Sequence, residues 1–137
     1  MMKIYFAGSI RGGRDDVNVY HQIINHLKNY GEVLTEHVGS DSLTSRGENT
    51  LNDQQIHDRD MEWIISSDII VAEVTNPSLG VGYEIAMGLK LDKKVICLYK
   101  NHKDRQLSAM ISGSVEIKII KYSDIDSLKK SISNILK

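Results

Sequence analysis

Two carboxylates, Glu84 and Asp60, stand in contexts that give an acid chemical work to do. Glu84 closes the stretch Val74-Thr75-Asn76-Pro77-Ser78-Leu79-Gly80-Val81-Gly82-Tyr83-Glu84, between the apolar run Asp68–Glu73 and the helix-forming residues Ile85–Leu91. Strand, glycine-rich turn, helix is the order that directs backbone N–H groups and a helix N-terminus at an anion above a sheet. Pro77 keeps Asn76 out of the α region, Gly80 and Gly82 let a ligand approach the main chain, and Ser78 adds a hydroxyl. On this reading Glu84 lies in the first helical turn, where an acid also complements the macrodipole. A carboxylate beside an anion cradle repels the anion, so Glu84 needs a second reason to be there.

Asp60 lies four residues from both Ile56 and Ile64, on the stripe that a helix from Asp53 to about Ser66 would bury. An acid on such a stripe destabilises unless it is paired or used. Tyr5, near the end of the first apolar run, is either core or a hydroxyl reaching a crevice. A second glycine-rich turn follows that run: Gly8-Ser9-Ile10-Arg11-Gly12-Gly13-Arg14. It has neither the Gly-x-Gly-x-x-Gly spacing of dinucleotide folds nor the Gly-Lys-Ser/Thr of a Walker loop. Ser9 and Arg11 can still hold one phosphate, the guanidinium by a bidentate contact. Two carboxylates in a phosphate-lined crevice point to cleavage at an acetal-like carbon, one acid meeting the oxocarbenium-like centre and the other handling a proton.

These residues need a frame, and the periodicity supplies one. Strands are expected at Lys3–Ala7, Glu32–Glu36, Asp68–Glu73, Val95–Tyr99 and Val115–Lys121. Helices are expected at Asp15–Tyr30 with Gly31 as its stop, from Asp53 as cap to Ser66, over Ile85–Leu91, at Leu107–Ile111, and at Asp124–Leu136. Alternation of this kind predicts a single α/β domain over residues 1–137: a doubly wound five-stranded parallel sheet, flavodoxin-like and Rossmann-like, with strand order 2-1-3-4-5 and helices on both faces. The switch point between strands 1 and 3 would bring both glycine-rich turns to one crevice. The polar segment from His37 to Asn52 is long for a connection and reads as a lid or binding loop.

Composition removes several classes. The chain has 137 residues, 41% hydrophobic and 26% charged, with net charge −1, which argues against a partner that is a nucleic-acid polymer. No apolar run approaches membrane-spanning length, so no membrane partner is expected. The single cysteine, Cys97, sits in an apolar run, and the start lacks a signal-peptide pattern; a cytoplasmic protein is expected. His21, His26, His37, His57 and His102 have no metal-ligand spacing, so neither a metal nor another cofactor is expected.

Several blocks in order carry a resemblance: Tyr5–Arg14, Val33–Val38, Ile56-His57-x-x-Asp60, Val71–Glu84 and Leu107–Ile111. Together they resemble the 2'-deoxynucleoside 5'-phosphate N-hydrolases of the nucleoside 2-deoxyribosyltransferase superfamily, over nearly the whole chain. The resemblance implies hydrolysis of the N-glycosidic bond of a deoxynucleoside monophosphate to 2-deoxyribose 5-phosphate and free base. It implies that Glu84 is the nucleophile forming a glycosyl-enzyme, that Asp60 assists base departure, and that Tyr5 acts beside the sugar and Glu84. It places Gly8, Ser9, Ile10, Arg11, Gly12, Ser78 and Gly80 around the substrate and its 5'-phosphate. It implies a homodimer in which Ser108 reaches the partner's phosphate site. Deoxyribosyl transfer between bases, a CMP-type ribonucleotide N-hydrolase and a non-catalytic nucleotide sensor are the competing readings. The phosphate-type turns oppose the first, and the retained acids oppose the last.

Overall fold

The computed structural model describes residues 1–10, 17–39 and 50–137. Its elements in chain order are β1 (Met2–Ala7), α1 (Val17–Leu27), β2 (Gly31–Val33), a 3-10 turn (Glu36–Gly39), α2 (Asp53–Ser66), β3 (Ile69–Glu73), α3 (Leu79–Lys90), β4 (Lys94–Lys100), α4 (Ala109–Ser112), β5 (Ile117–Tyr122) and α5 (Ile125–Leu136). The five strands form one all-parallel sheet in the order β2-β1-β3-β4-β5, the order expected from the sequence.

Strand alternation divides the core in two. Ile4 and Phe6 of β1, Val71 of β3 and Leu98 of β4 face a layer in which α1 supplies Tyr20, Ile23, Ile24 and Leu27, and α5 supplies Leu128 and Ile132. Tyr5, Ala7, Ile70, Ala72 and Cys97 face the opposite layer, where Ile64 of α2 and Val81 and Ile85 of α3 cover them. The central strands β1, β3 and β4 are thus buried on both sides over most of their length, which explains their continuous apolar runs. The edge strands β2 and β5 keep exposed residues such as Glu32 and Lys118. Gly88 sets how low α3 lies: a Cβ there would sit 2.1 Å from Ile70 Cδ1. Among the described residues, no helix is long and apolar enough to cross a membrane.

Three boundaries differ from expectation in ways that matter. Gly31 does not stop α1, which ends at Leu27; it opens β2 opposite Met2, whose carbonyl oxygen would be 2.3 Å from a Cβ. The cap of α2 is Asn52 and not Asp53. Asn52 Oδ1 accepts the Gln55 N–H at 2.8 Å, and Gln55 Oε1 accepts the Asn52 N–H at 3.0 Å, a reciprocal capping box. Most consequentially, α3 begins at Leu79 with Ser78 as its cap. Gly80 and Gly82 therefore lie inside the helix and not in a turn, and Glu84 belongs to its second turn. Burial of Val81 and Ile85 on one face extends the helix through the glycines.

The strand ends also shift. β2 stops at Val33, and Thr35 leaves the sheet direction to bond the main chain of Phe6, accepting its N–H at 2.8 Å and donating to its carbonyl at 2.6 Å. β5 starts at Ile117, and Val115 lies outside it, exposed. Ser108 and Asp124 cap α4 and α5 and are not part of them.

Candidate active site

In the register of β1 and β3, Ala7 lies opposite Ala72, so the carboxyl ends of the two strands leave the sheet side by side. The segment after β1 and the segment leading into α3 therefore share the switch-point crevice. Tyr5 points from β1 toward the α2–α3 layer, 1% exposed, and its hydroxyl donates to Glu84 Oε2 on α3. Residues 79 positions apart are joined by the strand-to-helix stacking described above.

Burial pushes the Glu84 carboxyl up to about 7; the hydrogen bond from Tyr5 pulls the other way, and the charge of Asp60 adds to the rise. Tyr5 is driven far above the usual phenol range, first by burial and then by the charges of Glu84 and Asp60, while Arg59 opposes them. The phenol thus remains a donor at any working pH. A carboxyl poised near neutrality and held by a permanent donor is suited to act as nucleophile or base.

Asp60 comes from α2 and bears on both groups electrostatically. Its Oδ1 accepts from Arg59 Nε at 3.0 Å and from Arg59 Nη2 at 2.9 Å, with both side chains about one quarter exposed. The guanidinium carbon of Arg59 lies 4.6 Å from the centre of the Trp63 ring, and its Nη2 is 3.4 Å from His37 Nε2. Next to this group, His57 Nε2 lies 3.0 Å from the Tyr83 hydroxyl.

The residues expected around the phosphate divide into three sets. Gly8, Ser9 and Ile10 continue from β1 into the crevice. Ser9 is fully buried, donates its N–H to the Tyr20 hydroxyl at 3.0 Å, and keeps a buried Oγ without a hydrogen-bond partner among the described residues. Arg11 and Gly12, with Gly13 and Arg14, lie outside the described residues, as do residues 40–49 of the expected lid. Ser78 caps α3, its Oγ accepting the Val81 N–H at 3.3 Å, while a Cβ on Gly80 would meet only Ser78 Oγ at 3.8 Å.

Ser108 sits elsewhere. It caps α4, Oγ accepting the Met110 N–H at 3.2 Å, and borders a cavity of about 950 Å³ that Pro77, Ser78, Ile85, Tyr99 and Arg105 also line. Tyr5, Asp60 and Glu84 do not line that cavity. One chain therefore brings Tyr5, Glu84 and Asp60 together and Ser108 to Ser78, but not Ser108 to Glu84.

Two further residues join the site without a motif in the sequence to mark them. Arg59 stands beside Asp60, with Trp63 four residues on, the spacing that stacks a cation on a ring along a helix. Glu73 ends an apolar strand run. It is 1% exposed, accepts the Thr75 N–H and hydroxyl at 2.8 Å each, and accepts a short hydrogen bond from the Tyr122 hydroxyl. Thr75 Oγ1 in turn accepts the Lys100 N–H at 2.9 Å, so the segment leading to Ser78 is fastened to β4 and β5.

Known proteins are similar to this chain in sequence and in fold. The chain is 51% identical over 125 residues to a 5-hydroxymethyl-dUMP N-hydrolase of Esox lucius, covering 90% of this chain and 86% of that one. It is 54% identical over 113 residues to the protein of that name from Danio rerio, covering 82% and 79%. Among solved structures, the Clostridium botulinum CMP N-glycosidase BcmB superposes with a TM-score of 0.73 at 17% identity, over 98% of this chain and 99% of that one. A 2-desoxiribosyltransferase from Leishmania mexicana gives 0.54 at 16% identity, over 75% and 67%. These two share the fold. The profile of the nucleoside 2-deoxyribosyltransferase family matches residues 4–123, and with relatives at half identity over most of the chain, this protein belongs to that family.

Proposed function

We propose that this enzyme hydrolyses the N-glycosidic bond of 2'-deoxynucleoside 5'-monophosphates, releasing 2-deoxyribose 5-phosphate and a free base, through a covalent intermediate on Glu84. The contact between the Tyr5 hydroxyl and the Glu84 carboxylate, with Asp60 alongside, is the observation that carries this reading. The half-identical relatives named as 5-hydroxymethyl-dUMP N-hydrolases support the substrate class.

In the first step, an oxygen of ionised Glu84 bonds to C1' as the C1'–N bond breaks, and the electron pair leaves with the base, which takes up a proton from the surrounding water. Asp60, whose Oδ1 accepts two hydrogen bonds from Arg59, stabilises positive charge on the sugar and assists base departure. Tyr5 steadies Glu84 through its hydrogen bond. Water then attacks C1' and gives up a proton to the solvent as the C1'–O bond to Glu84 breaks, and the carboxylate is regenerated.

The 5'-phosphate is assigned to the crevice between Ser9 and the α3 N-terminus, with Ser78 and Gly80 at the helix end. The buried, unpartnered Oγ of Ser9 supports that placement. Anchoring the phosphate there positions C1' against Glu84. Ser108 is assigned to the phosphate of a partner subunit in a homodimer. Exposed apolar side chains at Leu79 and Met110 (97% and 83%), both lining the 950 Å³ cavity, support self-association around it.

The deciding experiment is base release, followed by chromatography, from the deoxynucleoside monophosphates including 5-hydroxymethyl-dUMP, their ribo counterparts and unphosphorylated deoxynucleosides, with and without an acceptor base. Release confined to the deoxymonophosphates is expected. Base exchange on plain nucleosides would make the protein a transferase, and release from CMP would move it to the ribonucleotide hydrolases.

A further inference from the structure

We infer that Arg59 is a positioning residue for the reaction: it holds the Asp60 carboxylate in the orientation that faces Glu84 and the sugar. The inference rests on the catalytic reading of Asp60 given above. Side chains at successive helix positions diverge, so an arginine does not meet the acid that follows it by default. Here the guanidinium folds back, and Nε and Nη2 both converge on the same oxygen, Asp60 Oδ1, at 3.0 and 2.9 Å. That fold-back sacrifices rotamer freedom in a long side chain. Two contacts compensate: the guanidinium stacks on Trp63 at 4.6 Å, and Nη2 reaches to 3.4 Å from His37 Nε2. Trp63, Arg59 and Asp60 form a brace along one helix, with His37 closing it from the β2 side.

The brace also balances charge. Tyr5, Glu84 and Asp60 form an acid-rich cluster, and among the described residues Arg59 is a cation that opposes the effect of the two carboxylates on Tyr5. A lysine would carry the same charge but not the planar fork, nor the stacked ring contact. Position 59 therefore calls for arginine, and the effect of losing it is transmitted through Asp60.

The test is a double-mutant cycle on the full-length protein with 5-hydroxymethyl-dUMP as substrate, comparing wild type, Arg59→Gln, Asp60→Asn and the double variant. Arg59→Gln is expected to lower kcat about 10- to 100-fold with KM changed by less than about twofold. In the Asp60→Asn background the same change is expected to alter kcat by less than about twofold, because the group it positions is gone. Arg59→Lys is expected to recover only part of the loss. Trp63 is the single tryptophan, so its emission, shifted in Arg59→Gln with an unchanged melting curve, reports lost stacking in a folded protein. Independent, multiplying losses in the double variant, or full rescue by lysine, would overturn the positioning role. So would an unaltered kcat in Arg59→Gln when Asp60→Asn is inactive. Full activity in Asp60→Asn would instead remove the catalytic reading of Asp60, and this inference with it.

Discussion

The Tyr5 hydroxyl and the Glu84 carboxylate meet between the first strand and the third helix, and neither can be understood without the other. Burial drives the carboxyl up to about 7, while the phenol's hydrogen bond holds it back from going higher. The sign of the pH dependence follows. As the proposed nucleophile, Glu84 would need to be ionised to attack C1', so kcat/KM should rise through pH 7 and fall about tenfold per unit below about pH 6. Tyr5→Phe removes the contribution that lowers the Glu84 value and should move this acid limb to higher pH, with activity at pH 7 reduced about tenfold or more. A pH–rate profile of both proteins checks it; an unmoved limb in Tyr5→Phe would mean that another group sets it.

Glu84→Gln separates catalysis from stability. Turnover should fall by about 10³-fold or more, with binding of deoxynucleoside monophosphates, measured by calorimetry, nearly intact. Stability should move in the opposite direction. A carboxyl whose folded value is raised from 4.5 to about 7 stabilises the fold fully below pH 4.5 and loses that contribution as pH rises through 7. Glutamine escapes this loss. Glu84→Gln should therefore be more stable than wild type at pH 8, by on the order of 2 kcal/mol, and close to it at pH 5. Thermal melts at the two pH values decide; a destabilised variant at pH 8 would show that the ionised carboxylate is well accommodated.

Ser108 caps α4 and borders a cavity that excludes Glu84. If it serves a partner's phosphate, Ser108→Ala should weaken binding of a deoxynucleoside monophosphate about tenfold while leaving the unphosphorylated nucleoside unaffected. Sedimentation should give a dimer for both proteins. Equal loss for both ligands would assign Ser108 to the cap alone.

Much of this arrangement was legible in the chain because it depends on local patterns. Apolar runs of five or six residues separated by helical stripes led to the strand order, and that order alone brings the ends of β1 and β3 together. Asp60 stood out because it interrupts an apolar stripe. What escaped depends on which contacts the fold selects, and residue types alone do not announce that choice. Gly80 and Gly82 look like a turn, yet Ser78 caps the helix before them, and the core claims Val81 and Ile85. Gly31 looks like a helix stop until the Met2 carbonyl is placed against it. Arg59 looks like a solvated charge until its guanidinium is seen to fold onto Asp60 and Trp63.

Glu73 is the sharpest such case, an acid hidden in a buried strand, and it yields the last prediction. Its two oxygens satisfy the Thr75 N–H, the Thr75 hydroxyl and the Tyr122 hydroxyl, all buried. Thr75 passes the restraint on by accepting the Lys100 N–H, so β3, β4 and β5 are tied at their carboxyl ends, where α3 begins. Glu73→Ala removes the acceptor and leaves three donors desolvated, which should cost about 3 kcal/mol and lower the melting temperature by roughly 10 °C. Glu73→Gln keeps one acceptor oxygen but brings two N–H donors toward hydroxyls already donating, so it should recover only part of that loss. Because the same ties fix the approach to Ser78, the glutamine variant should bind the substrate phosphate more weakly at a temperature where it remains folded. Equal melting curves for Glu73→Ala and wild type would mean that Thr75 and Tyr122 find other acceptors, and that this end of the sheet does not depend on the buried acid.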